Sequence, residues 1–286
     1  MKLTYLLLIA FTILSCSSNE DNKIVKLMTL DPGHFHAALI QKTSYENIDS
    51  TVDVYAPEGP EVSTFLKSID TYNNRDNNPT NWSINTHLGD NYLELMISEK
   101  PGNVMVVSGK NSKKIDYILA AVKAGLNVYA DKPLVTNPDG LKKLEEVFRV
   151  AKENNVLVYD IMTERFEVTT GIQKALSMVS SVFGELVDGT LENPAISKES
   201  IHHLFKYVSG KPLVRPAWFL DTEQQGEGII DVTTHLVDLI QWEAFPNQII
   251  QKTDIDMLSA KRWPTILSKD QFKKITGLDS YPNYLE

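Results

Sequence analysis

The chain has 286 residues, with 28 Lys and Arg against 37 Asp and Glu for a formal net charge of −9, and is 42% hydrophobic and 9% aromatic. That is chain enough for two domains and apolar content enough for a real core. The acidic balance, with no clustered basic stretch, excludes an electrostatic footprint for nucleic acid and a polybasic membrane contact.

Met1 and Lys2 precede an apolar run over residues 3–14, the pattern of a signal-peptide core and too short to span a bilayer. Ile13-Leu14-Ser15-Cys16 resembles a bacterial lipobox, in which Cys16 is lipidated and becomes the mature N-terminus. Cys16 is the only cysteine, so an internal disulfide is impossible and a buried structural thiol is the alternative reading. The expectation is an exported bacterial lipoprotein, periplasmic or at the cell surface, held to the membrane by its lipid alone. Residues 17–22 read as a tether.

Residues 23–30 predict a strand running into Asp31-Pro-Gly-His-Phe-His36, with a helix over 37–42. Strand, glycine-containing loop and helix open a dinucleotide fold, where backbone N–H groups hold a pyrophosphate. Laid on G-x-G-x-x-G, Gly33 occupies the middle position, Asp31 the first and His36 the third. His34 and His36 could suggest a metal, but two histidines without a nearby third ligand read as loop residues, and no metal is expected. A second strand over 52–56 ends near Glu58, 25 residues beyond Gly33 and placed to take ribose hydroxyls.

A helix over 61–69, a strand over 82–87 and a helix over 90–98 capped by Asp90 come next. Strand 103–108, helix 112–124 stopped by Gly125, strand 127–130, helix 138–154 capped by Asn137 and strand 156–159 complete a doubly wound parallel sheet. Lys132 stands just past the 127–130 strand, where open α/β sheets bind ligands. A surface Lys-Pro turn is the competing reading.

Ala120-Ala-Val-Lys-Ala-Gly-Leu-Asn-Val-Tyr-Ala-Asp-Lys-Pro-Leu134, succeeded by Glu164-Arg165-Phe166, resembles the Gfo/Idh/MocA oxidoreductases, the family of glucose-fructose oxidoreductase and inositol dehydrogenase. Gly226-Glu-Gly228, Asp231, His235 and Asp238 resemble the family's G-G-G-x-x-x-D-x-x-x-H-x-x-D, with Glu227 in place of a glycine. The resemblance covers roughly residues 24–245. It implies an α/β fold in which a Rossmann-type domain, residues 23–160, precedes an α+β substrate domain, residues 161–286, with an open, mostly antiparallel sheet. Family members continue for more strands than this chain supplies, so a truncated or incompletely covered sheet is expected, with an edge able to pair in a homo-oligomer.

In the carboxyl half, 165–179 predicts a linking helix, 183–192 and 254–258 strands, and 270–276 a short helix. A helix from about Gly228 puts Asp231, His235, Asp238 and Trp242 on one face, with Val232, Leu236 and Leu239 turned to the core. His202 and His203 read as structural or surface histidines.

By resemblance the cofactor is NAD or NADP, held by Gly33, His34, Phe35, His36, Glu58, Ser108, Asp131, Lys132 and Arg165, and the substrate is a small sugar or polyol. His235 is then the base, Asp231 orients it or holds substrate hydroxyls, and Lys132 supports the developing alkoxide. Two alternatives stay open: an NAD-dependent glycosidase with a redox-neutral cycle, and a non-catalytic carbohydrate-binding lipoprotein.

Overall fold

The structure is a computed structural model and describes residues 24–201, 203–208 and 210–285. The expected signal segment, Cys16 and the tether lie outside these residues. Among the described residues no helix is long and apolar enough to cross a membrane.

The amino half alternates strand and helix: β1 (Leu27–Leu30), α1 (His36–Leu39), β2 (Thr51–Ala56), α2 (Pro60–Asn73), β3 (Ser83–Leu88), α3 (Tyr92–Glu99), β4 (Val104–Val107), α4 (Asn111–Lys123), β5 (Asn127–Asp131), α5 (Pro138–Glu153) and β6 (Val158–Ile161). The six strands form one sheet in the order β3-β2-β1-β4-β5-β6, and every pairing is parallel. Helices cover both faces, so the central strands are buried on both, and β1 has no exposed residue. One core cluster gathers Met28, Leu30, Met105, Ile118 and Val147, the other Val52, Val54, Phe65, Ile69 and Trp82.

Local signals explain the boundaries. The Asn137 side chain accepts from the Gly140 N–H at 3.0 Å and so starts α5. Gly125, at φ +78°, turns the chain after α4 in a conformation that costs glycine little. The predicted Asp90 cap is corrected: the N-cap of α3 is Asn91, without a side-chain bond. The chain leaves β1 through Asp31 at φ +45°, and α1 is a single turn rather than the longer helix expected.

The carboxyl half has a 3₁₀ turn at Thr163–Phe166, then α6 (Val168–Ser177), α7 (Ser180–Phe183), β7 (Tyr207–Val208), β8 (Lys211–Pro212), α8 (Thr222–Gln225), α9 (Gly228–Ala244) and α10 (Lys269–Thr276). Among the described residues its antiparallel sheet is the two-stranded β7-β8 pair. The predicted 183–192 strand is corrected: α7 ends there, Gly184 turns at φ +77°, and residues 185–192 pair with no strand among the described residues. Residues 254–258 are likewise unpaired and exposed. The short helix near 270–276 is α10, started by a reciprocal Ser268–Gln271 capping box.

Candidate active site

Parallel strands deliver their carboxyl ends to one edge of the sheet, and α9 of the carboxyl half crosses that edge. Lys132, one residue beyond β5 and buried, donates through Nζ to the Asp231 carbonyl at 2.6 Å and to Asp231 Oδ1 at 2.8 Å. Gln225 Nε2 also donates to Asp231 Oδ1, at 3.1 Å. One turn along α9, His235 joins a cavity of about 300 Å³ together with Lys132, Glu164, Asp231, His34 and His36. Its Nδ1 is buried without a hydrogen-bond partner among the described residues. Burial first, then the Lys132 ammonium, pushes the His235 imidazole below its ordinary 6.5, with Glu164 pulling the other way.

Asp131 ties His34 and His36 of the cavity wall together. Its carboxylate accepts from His34 Nδ1 at 2.7 Å, Ser108 Oγ at 2.9 Å and His36 Nδ1 at 3.0 Å. Burial alone would raise this carboxyl, but the charge and hydrogen bonds of His34 and His36 hold it well below the usual carboxylate range. Burial lowers the His34 imidazole to about 4 against the pull of Asp131. The direction that stands for the pair is an ionised carboxylate facing a neutral imidazole.

Lys114, from α4, is fully buried beneath this turn and donates to Asn111 Oδ1, to the Asp131 carbonyl at 2.8 Å and to the Pro133 carbonyl at 3.2 Å. Burial lowers its ammonium to about 8. Sequence reasoning passed over this residue, although Asn111, Lys114, Ile115, Ile118, Ala121 and Val122 share the buried face of α4 and a lysine in that stripe is a signal.

The structure redistributes other expected site residues. Arg165 does not reach the glycine loop; it grips the Asp238 carboxylate with Nε at 2.6 Å and with Nη2, tying the Thr163–Phe166 turn to α9. Trp242 lies under the Lys174 ammonium, 3.9 Å from the ring centre. Val232, Leu236 and Leu239, expected to turn away, line the same cavity as His235. Glu58 is exposed beyond β2.

A nicotinamide dinucleotide fits one end of this site. The polar cavity beyond β5, with the His235 ring on its wall, suits its reactive end. At the other end the Gly33 and His34 N–H groups both donate to the Ser108 carbonyl at 3.0 Å. Trp218 hydrogen-bonds Glu61 at 3.1 Å, and its ring stands 3.1 Å from where a Cβ on Gly33 would sit. A diphosphate over this loop requires Trp218 to give way.

Residues 33–160 match the model described as "Oxidoreductase family, NAD-binding Rossmann fold", and residues 172–286 match "Putative oxidoreductase C terminal domain". The chain belongs to the Gfo/Idh/MocA oxidoreductase family. It is 55% identical to a crystal structure of "a putative oxidoreductase" from Parabacteroides merdae, with a TM-score of 0.86 over 92% of this chain and 60% of that one. The chain thus spans about 60% of that relative's length. GenD2 from gentamicin A biosynthesis, solved with NAD, is 12% identical at a TM-score of 0.52 over 77% of this chain and 54% of its own. An oxidoreductase structure from Thermotoga maritima is 18% identical at 0.51, over 77% and 58%. These two distant likenesses show the fold alone. A search of the curated proteins returned no match.

Proposed function

We propose that the protein is an NAD(P)-dependent oxidoreductase acting on a secondary alcohol of a sugar or polyol. The observation that carries this is the meeting of Lys132, at the carboxyl end of a Rossmann strand, with Asp231 and His235 of α9 across one polar cavity. Gly33, His34, Phe35, His36, Glu58, Ser108 and Asp131 stand along the edge that would hold the dinucleotide, NAD or NADP. When bound, its nicotinamide supplies the hydride acceptor or donor.

The chain's own residues do the rest. His235, neutral above its lowered pKa, takes the hydroxyl proton on its imidazole ring. Of the three Nζ donors of Lys132, Asp231 occupies two, leaving one for the reacting oxygen as it gains alkoxide character. The bond to Asp231 fixes where that donor points. Lys114, holding the Asp131 and Pro133 carbonyls, fixes the turn from which Lys132 emerges. Leu236 and Leu239 keep the back of the cavity dry.

The test is whether purified protein carries or binds a nicotinamide dinucleotide, read by absorbance and mass analysis of the denatured supernatant and by titration, and then a polyol panel monitored for reduced nicotinamide. The absence of both bound cofactor and binding on titration would sink this reading in favour of a non-catalytic carbohydrate-binding protein. We further propose export as a lipoprotein through Cys16, which predicts that Cys16→Ser gives a soluble or unprocessed protein. A mutant distributed like the wild type would rule that anchor out.

A further inference from the structure

The strongest unexplained feature is the cluster beneath the cavity. His34 and His36 lie two residues apart in the loop after β1, and Asp131 reaches them from the end of β5, 97 and 95 residues away in sequence. The structure brings to them the third group that the sequence did not place. One ligating atom from each of the three lies within 4.8 Å of the others.

We propose that His34, His36 and Asp131 bind one divalent cation of the zinc class, with its open positions facing the His235 cavity. Three observations carry this. First, a carboxylate only accepts hydrogen bonds, so the Nδ1 atoms at 2.7 and 3.0 Å from Asp131 each bear a proton. Moving each proton to Nε2, the other neutral tautomer, turns both Nδ1 lone pairs toward the space the carboxylate faces. No proton need leave the protein. Second, ligand atoms about 2.0–2.2 Å from a tetrahedral zinc stand roughly 3.3–3.6 Å from one another. The two imidazole–carboxylate spacings, 2.7 and 3.0 Å, must open to reach that separation, and all three ligand atoms already lie within 4.8 Å of one another. Third, the outer supports are in place: Ser108 Oγ donates to Asp131 Oδ2 at 2.9 Å, and Lys114 holds the Asp131 carbonyl at 2.8 Å, the kind of contact that orients metal ligands.

Two histidines and one carboxylate match the donor set of catalytic zinc sites, which leave a position for water or substrate. A cation here would polarise a hydroxyl or carbonyl oxygen lying between it and Lys132. The site is defined without the dinucleotide, so its test needs none.

Chelator-stripped full-length protein is titrated with Zn²⁺ by calorimetry and, separately, with Co²⁺ while recording the visible spectrum. One equivalent per chain is expected, with a cobalt spectrum of four- or five-coordinate nitrogen and oxygen ligation and a zinc-dependent rise in melting temperature. His34→Ala and His36→Ala should each weaken binding by about tenfold or more, whereas His87→Ala, on β3, should not. Absence of stoichiometric binding by the wild-type protein overturns the proposal whether or not the variants fold. So does one-to-one binding that survives both loop substitutions with the cobalt spectrum unchanged.

Discussion

The two halves of the chain bury their apolar residues very differently. In the amino half Met28, Leu30, Val52, Val54, Met105 and Ile118 have essentially no exposure. In the carboxyl half residues 255–266 are exposed throughout, Met257, Leu258 and Ile266 among them, and Ile172, Leu176 and Phe183 surround an apolar hollow of about 400 Å³ remote from the chemistry. Its buried residues concentrate where it meets the sheet or packs on α10: Trp218, Phe219, Leu239, Phe272 and Ile275. The site therefore joins a Lys132 set in a continuous core to a His235 carried on a helix tied down by the Lys132–Asp231, Arg165–Asp238 and Lys198–Glu243 ion pairs. Position on one side comes from packing, and on the other from charge.

That contrast can be broken or sharpened experimentally. The largest effect should come from His235→Asn, which removes a proton acceptor and should cost ~10²–10⁴-fold in alcohol oxidation while the melting temperature stays near wild type. Because burial and Lys132 lower the His235 pKa, the wild-type rate should fall only as pH drops below the ordinary imidazole value of 6.5. The acidic limb should vanish in the mutant. A mutant with full activity and a lower melting temperature would make His235 a packing residue.

Met105→Ala, in the centre of the sheet, should cost ~2–5 kcal/mol in denaturant unfolding. Leu258→Ala should change stability by no more than about 0.5 kcal/mol, as an exposed side chain should. Equal losses in the two variants would erase the distinction between the halves.

Lys132→Ala should reduce turnover by ~10²-fold or more with the Rossmann core intact, since it deletes a donor to the reacting oxygen. Unchanged turnover would reduce Lys132 to a turn residue. Smaller still, Lys114→Ala orphans the buried Asp131 and Pro133 carbonyls and should cost roughly 1–3 kcal/mol in denaturant unfolding. A neutral result would show that water replaces the amine.

The amino half was legible because its units are locally complete. Strands 127–130 and 103–108, the Gly125 stop and the Asn137 cap need no distant partner to be recognised, and their boundaries agree with the structure to within two residues. The carboxyl half was not, because a strand is a pairing and alternation cannot supply the partner; 183–192 and 254–258 have none among the described residues. The site obeys the same division. Lys132, Asp231 and His235 could be placed from their motifs, whereas Asp131 joining His34 and His36 depends on strand order, and Arg165 was drawn to Asp238 by a helix crossing that no local spacing encodes. Lys114 was hidden by the habit of reading a helical lysine as solvated.

The line Lys114, Asp131, Lys132, Asp231 alternates in sign across the deepest part of the protein. Such an array is close to a multipole without net charge, and its potential decays far faster with distance than that of a single ion. With Lys206, Arg215 and Glu164, which also line the cavity, the cleft holds one more cationic than anionic side chain, so its own long-range field stays small beside the −9 of the whole chain. Capture should then rest on contact rather than steering, with an association rate that added salt barely alters. Uncharged, hydroxyl-rich molecules lose nothing by that arrangement, while anionic ones gain no acceleration from it.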